Sequence, residues 1–516
     1  MKAFDENSSA EVQMEGFSLA GPSKPFVSNE ELDAAIKALP LRDTLAVERL
    51  LPHLLELSEL RRVAALRQIA DQTGLDKASL SKALSAIARQ SRKPDDLTLA
   101  EKVLDHIGNE NLLCSDEGTY GWCESGVWKR LGKQAFQSMV QNALARAGQP
   151  VLTKKVQDVA TTLCNLLFRP GNRFGGKGLD LINCVNGELI LQDGEWNLRP
   201  HSRESYLTSQ IPVSFDPLAE APRFMAFLDE VFGCDFDCEA KIRALLESVG
   251  YSLVPHCRYE RFGILQGDGA NGKSVILNLL AELLGQENIS AVPMSQFDRV
   301  FSRAQLQDKL ANIVTELAFG EVLADAAVKG IVSGEPTTVE HKFQPPFVLR
   351  PHATLWLSTN HMPHTRDYSP AIMRRALIMR FNRSFTPEEQ DRTLLDKLKE
   401  ELPGILNLVL KAYAAATVNG FTNPPSSEAA KAEWRKDADQ VAEFVDECCE
   451  VDTSVETPVQ QLYTAYQGWA ISYGHSRPVT LKTFSQRLQT MGYKRGRNST
   501  TRTIVGLKLT ATDVGF

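Results

Sequence analysis

The residues Gly267-Asp268-Gly269-Ala270-Asn271-Gly272-Lys273-Ser274 satisfy the spacing G-x-x-x-x-G-K-[ST]. A glycine-rich turn of this kind lets successive backbone amides converge on phosphate oxygens. Lys273 would reach the β- and γ-phosphates and the Ser274 hydroxyl would ligate Mg²⁺, in a cradle that runs from Gly267 to Val275. Phosphoryl transfer to water also needs an acid at the end of a neighbouring strand. Glu316 ends the run Leu310-Ala-Asn-Ile-Val-Thr-Glu, 43 residues after Lys273, and is assigned to orient water and share the metal. Asn360 ends a second apolar run, Ala353-Thr-Leu-Trp-Leu-Ser-Thr-Asn, 44 residues further on. It suits a sensor of the γ-phosphate. Arg374 and Arg375 follow. An arginine at a subunit boundary can stabilise transition-state charge on a neighbour's nucleotide, and a solvated pair is the plain alternative. Between the two strands, Gly334-Glu-Pro-Thr-Thr-Val-Glu-His341-Lys342-Phe343 reads as a projecting hairpin with a cationic tip suited to a DNA phosphate.

These groups need rigid elements to hold them. Phe262-Gly-Ile-Leu-Gln266 reads as a short buried strand before the loop. Val275, Ile276, Leu279, Leu280, Leu283 and Leu284 recur at helical spacing after it, up to Gly285. Strand, loop and helix place the phosphates at a helix N-terminus. From 258 to about 385 strands and helices alternate, the pattern of an α/β nucleotide-binding core. Upstream, residues 1–28 read as a disordered tail and 29–95 as a helical domain. Within that domain Leu66-Arg-Gln-Ile-Ala-Asp-Gln-Thr-Gly74-Leu75, leading to Leu80 and Leu84, suits a helix-turn-helix. A small helical bundle for protein contacts fits equally well. Residues 96–217 read as mixed α+β, with Trp122, Trp128 and Trp196 near Gly-bearing turns and assigned to cores. Residues 218–400 hold the ATPase with its preceding helices, 401–455 a helical lid or linker, and 456–516 a small final domain.

A chain of 516 residues is too long for one core. The nine cysteines are scattered without a CxxC pair, and Cys234, Cys238, His256 and Cys257 fit no usual zinc spacing. A reducing cytoplasm, with no membrane association, is the expectation. The net charge of −7 does not suggest nucleic acid, but its distribution does. From Arg477 to Lys508 the chain carries Arg477, Lys482, Arg487, Lys494, Arg495, Arg497, Arg502 and Lys508 and no acid. That is a local electrostatic footprint inside an acidic protein.

The ordered set GDGANGKS, ANIVTE, SGEPTTVEHKF, LWLSTN and SPAIMRR resembles the superfamily 3 helicase module of phage, plasmid and poxvirus primase–helicase proteins. The resemblance covers about residues 97–510. It implies an AAA+-type P-loop ATPase core and a ring, usually a hexamer, that moves 3′ to 5′ on DNA with ATP and Mg²⁺. Lys273 and Ser274 then take the phosphate and metal, Glu316 is the acid, Asn360 the sensor, Arg375 the first-choice arginine finger and Arg374 the second. His341 and Lys342 align with the DNA-contacting hairpin. Thr315 stands where many of these helicases carry another acid, which leaves open whether Glu316 alone serves both metal and water. Residues 456–516 resemble the family's winged-helix end, with Lys482, Arg487, Lys494, Arg495 and Arg497 facing DNA. Only about 96 residues precede the similar region, so the expectation is a helicase acting with a separate primase and host replication proteins on single-stranded and duplex DNA. A non-enzymatic origin-binding oligomer and a duplex translocase are the rival readings.

Overall fold

The structure is a computed structural model that describes residues 29–91, 95–149, 152–175, 179–317, 321–365, 370–437, 439–473, 478–497 and 501–510. The expected tail at 1–28 and Arg477 lie outside the described residues. The chain divides into two compact units at Leu99–Ala100.

The first unit is helical, as its periodicity predicts. It comprises α1 (Asn29–Lys37), α2 (Thr44–Leu50), a 3₁₀ turn (Leu51–Glu56), α3 (Glu59–Thr73) and α4 (Lys77–Ser91). Asp43 caps α2 by accepting from the amides of Leu45 and Ala46. Leu32, Ile36, Val47, Leu54, Leu66, Ile69, Leu80 and Leu84 form its core.

The second unit begins within α5 (Asp96–Ile107). An antiparallel meander follows, β1 (Leu112–Ser115), β2 (Gly118–Cys123) and β3 (Val127–Arg130), then α6 (Lys133–Arg146) and α7 (Thr153–Leu166). A second meander is β4 (Leu181–Cys184), β5 (Gly187–Gln192) and β6 (Glu195–Arg199). Trp128 is buried and Trp122 meets it edge to face. Trp196 is half-buried, donating to the Leu410 carbonyl. All three fit the core role expected of them.

After α8 (Pro222–Phe232) and α9 (Cys238–Tyr251) comes the central sheet. Its elements are β7 (Phe262–Gln266), α10 (Lys273–Leu284), β8 (Ile289–Ser290), α11 (Val300–Ala304), β9 (Ala311–Val314), α12 (Asp325–Val332), the hairpin β10 (Thr337–Val339) and β11 (Phe347–Leu349), β12 (Thr354–Thr359), α13 (Pro370–Met373) and β13 (Ala376–Arg380). The five strands are parallel in the order β13-β7-β12-β9-β8. Strands β9 and β12 are buried along their whole length. That explains their continuous apolar runs, since both faces of a parallel sheet are covered. One face packs on α8, α9, α10, α14 (Leu394–Glu400) and α15 (Leu402–Asn419). The other holds Phe297, Val328, Ile331 and Trp434, the last from α16 (Pro425–Asp437). Helix α16 starts at Pro425, where proline's missing N–H costs nothing.

The final domain contains α17 (Gln440–Cys448), β14 (Cys449–Pro458), α18 (Val459–Ser472), α19 (Leu481–Thr490), β15 (Lys494–Arg497) and β16 (Arg502–Leu509). Its antiparallel sheet has the order β14-β16-β15. The boundary expected at 456 moves back to about 439. Val441, Phe444 and Val445 of α17 share one core with Tyr466, Trp469, Phe484 and Leu488. No helix among the described residues is long and apolar enough to cross a membrane.

Candidate active site

Parallel register brings the ends of three strands to one edge of the sheet. Thr359 lies beside Gln266 and Leu357 beside Val314, so the chain leaves β7, β9 and β12 at the same level. Gly267 continues β7, Thr315 and Glu316 continue β9, and Asn360 continues β12. The Gly267 amide donates to the Thr359 carbonyl at 3.2 Å, tying the loop to the sensor strand.

The loop is shaped as a concave turn. Gly269, Ala270 and Gly272 have φ of 107°, 47° and 90°, the left-handed region that curls amides toward one centre. At Gly267 a Cβ would stand 2.3 Å from Asn271 Nδ2 and 2.7 Å from the Phe381 carbonyl oxygen, so only glycine fits. Lys273 is buried. Its ammonium donates to the Gly267 carbonyl at 2.5 Å and to Asn271 Oδ1 at 3.0 Å. Burial lowers its pKa, with partial opposition from Asp268. A buried ammonium whose hydrogen-bond partners are both neutral is complementary to an anion, and α10 adds the positive end of its dipole. These observations fit a phosphate chain.

A cleft of about 640 Å³ opens over this turn. Gly269 to Val275, Thr315, Glu316, Asn360 and His361 line it. Ser274, Glu316 and Asn360 are exposed to it. The structure thus brings together Lys273, Ser274, Glu316 and Asn360, as their spacing predicts. The sequence does not mark the opposite wall: Arg223 and Phe227 come from α8, Phe385 and Arg392 from the segment before α14, and Leu394 is the first residue of that helix. These residues lie in no phosphate-binding pattern, so only folding reveals them.

The paired arginines part company. Arg375 is turned inward, donating to the Ala371 carbonyl at 2.7 Å and Ser333 Oγ at 2.9 Å, with Glu260 at 2.6 Å. Arg374 is 66% exposed and only 3.8 Å from Glu260. The expected ranking is thereby reversed: Arg374, not Arg375, presents a guanidinium outside the chain.

The expected hairpin is β10–β11. Lys342 and Phe343 stand at its tip, and Phe343 is 94% exposed. His341 is not a second tip cation. Its ring stacks on Phe347, and Nε2 lies 3.0 Å from Gln307 Oε1 and 3.3 Å from Arg130 of β3. Burial and the Arg130 charge hold its pKa below the usual histidine value, so it is neutral near pH 7.

In the final domain Lys482, Lys494, Arg495 and Arg502 are exposed. Arg487 is corrected. It pairs with buried Asp439, which also caps α17, so it joins elements instead of facing DNA. The side chain of Arg497 lies outside the described residues. The tract without acids is also not isolated. Strand β14 lies beside β16, and Glu450 pairs with Lys508 at 3.1 Å. Among the described residues no group of three or more His, Cys, Asp or Glu is placed to hold a metal.

Comparison with known proteins matches three segments of this second unit. Residues 100–233 match a family described as D5 N terminal like, and 436–511 one described as poxvirus D5 protein-like. Residues 265–375, which hold Lys273, Ser274, Glu316 and Asn360, match a family of unknown function, DUF5906. Two of the three matched models are of D5 type, the kind of protein that the ordered motifs resemble. A protein of Acanthamoeba polyphaga mimivirus described as "Putative helicase L207/L206" is 24% identical over 238 residues, 41% of this chain and 25% of its own length. The chain therefore spans about a quarter of that relative. The A-form apo structure of the NrS-1 C-terminal region superposes with a TM-score of 0.43 at 13% identity, over 80% of this chain and 100% of that one. A second A-form apo structure of the same region, spanning 305–718, gives the same figures.

Proposed function

We propose that this chain is an ATP-driven DNA helicase, a ring-forming AAA+-type motor of a phage, satellite or plasmid that moves 3′ to 5′. One observation carries the reading: Lys273, Ser274, Glu316 and Asn360 meet at one edge of a parallel sheet whose order inserts the sensor strand β12 between the loop strand β7 and the acid-bearing strand β9. In this reading the γ-phosphate lies on the side of the turn where Glu316 and Asn360 end their strands.

In this reading Lys273 and the loop amides hold the phosphates, and Ser274 and Glu316 hold Mg²⁺ through oxygen donors, which suit that ion. The metal supplies charge neutralisation on the β- and γ-phosphates when bound. Glu316 orients the attacking water, and its exposure to the cleft leaves it room to do so. Asn360 senses whether the γ-phosphate is present. The exposed Arg374 reaches the neighbouring subunit's nucleotide in a hexamer. Lys342 and Phe343 at the hairpin tip contact single-stranded DNA, the lysine at phosphate and the ring by stacking on a base. The C-terminal domain acts as a winged helix on duplex DNA through Lys482, Lys494 and Arg495. Motions of β12 reach the hairpin through the short β11–β12 connection, so hydrolysis and DNA movement are linked.

The experiment is a forked-duplex unwinding assay beside ATP turnover, with Lys273→Ala as the control. The variant is expected to fold and to lose both activities, because the ammonium serves phosphate. Wild-type turnover in the variant overturns the site assignment. Turnover without unwinding in the wild type favours a duplex translocase, and no turnover favours an origin-binding oligomer.

A further inference from the structure

Helices α3 and α4 belong to the first unit, outside the residues 100–233, 265–375 and 436–511 that the family models match. They are joined by three residues, Gly74-Leu75-Asp76. Gly74 has φ of 70° and closes α3 through its amide to the Ala70 carbonyl. Leu75 packs on the core. Asp76 starts the next helix by accepting from the Ser79 amide at 2.9 Å and its hydroxyl at 3.1 Å. A short Gly-bearing turn between two packed helices is the frame that presents the second helix outward.

What α4 presents is specific. Leu80 and Leu84 are buried. Ala78, Ser81, Lys82 and Ser85, at helical spacing i, i+3, i+4 and i+7, share the outward face, and Lys77 stands exposed at its start. The helix has 15 residues and no acid. Among the described residues of this unit, the exposed large apolar side chains, Leu41, Leu45, Leu60, Val63 and Leu97, all lie elsewhere, so α4 offers none of them to an apolar protein partner. Small residues flanked by lysines let a helix backbone approach closely and meet phosphates on either side. A helix about 10–12 Å across enters a major groove about 12 Å wide.

The sequence left helix-turn-helix and protein-contact bundle level; the polarity of this face separates them. We propose that α4 is a recognition helix that lies in the major groove of duplex DNA, with Lys77 and Lys82 on phosphates and Ser81 and Ser85 at base edges. This gives the chain a sequence-reading DNA site distinct from the motor and from the C-terminal domain. The Ser81 hydroxyl both donates and accepts, while that of Ser85 donates to the Ser81 carbonyl at 2.8 Å and offers its lone pairs, so both reach base edges without the length of arginine.

The test compares the full chain with Lys77→Ala/Lys82→Ala. Both lysines are exposed, so the variant should melt at the wild-type temperature and keep wild-type ATP turnover, which separates this proposal from the motor assignment. Binding to random and selected duplexes is measured across a salt series. Loss of two phosphate contacts should lower the log–log salt slope by about two units. Selection from a random duplex library should enrich one sequence with the wild type, and Ser81→Ala/Ser85→Ala should weaken that preference at least about fivefold. An unchanged slope overturns the proposal and leaves α4 to a protein partner. A lowered slope with no enriched sequence overturns the groove-reading part, since α4 would then touch phosphates alone.

Discussion

At the residue scale, neighbouring side chains divide into different tasks. Arg374 and Arg375 are adjacent, yet one is exposed and the other anchored to Glu260 and Ser333. Arg375→Ala removes a nearly buried cation and leaves the Ser333 hydroxyl without its donor. It should cost about 2–3 kcal/mol of stability, a cost seen as a lowered melting temperature of the isolated variant. Arg374→Ala should melt like the wild type. Mixed in excess with wild-type protein, it should depress ATP turnover more than dilution does, because each defective finger disables a neighbouring site. Proportional dilution would show that Arg374 does not act across an interface. Sequence could name this pair but not order it, because the deciding partner, Glu260, lies 115 residues away.

At the element scale, one carboxylate ties the second meander region to the sheet. Asp180, just before β4, accepts from His256 at 2.7 Å, Tyr413 of α15 at 2.5 Å and Arg258 at 3.1 Å. Burial pushes its pKa up, but the hydrogen bonds from His256 and Tyr413 and the charges of His256 and Arg258 outweigh that and hold it at about 2. The sign follows from linkage: a depressed carboxylate stabilises the fold above its ordinary pKa, and that stability is lost as pH falls from about 4 toward 2. Allowing for solvent screening, Asp180→Asn should cost about 1–2 kcal/mol near pH 7. The difference in melting temperature between variant and wild type should close as pH falls through that window. A constant difference would assign the loss to packing. No pattern in the sequence links Asp180 to Tyr413, since the contact exists only once α15 lies along α9.

At the scale of the whole molecule, the C-terminal boundary decides which truncations survive. A cut before 456 divides β14 and strands α17, whose Phe444 packs on Tyr466, Trp469 and Phe484. A chain ending at 438 removes the domain as one core. The shorter protein should stay soluble with intact basal ATP turnover, while a chain ending at 455 should aggregate, read by light scattering. Equal solubility would show that α17 does not need the domain. Duplex binding should weaken in the soluble truncation, but by fewer contacts than eight basic residues suggest, because Arg487 and Lys508 already hold internal partners.

The grouping of the proposed nucleotide site was legible because its chemistry is local. Eight consecutive residues build the phosphate turn, and each remaining group ends an apolar run, a position that buried parallel strands mark by themselves. The first unit's helices were legible for the same reason, through their 3.6-residue periodicity. Sheet order, the far wall of the cleft, the division between Arg374 and Arg375, and the neutral state of His341 were not. Each depends on groups distant in sequence: Arg223 and Arg392 across the cleft, Glu260 beside Arg375, Arg130 beside His341. Charge was the least readable property. The run from Arg477 to Lys508 holds no acid along the chain, yet folding lays β14 with Glu450 and Asp452 against it and brings Asp439 to Arg487. Electrostatic partners are chosen by distance in space, and only the tertiary structure sets that distance.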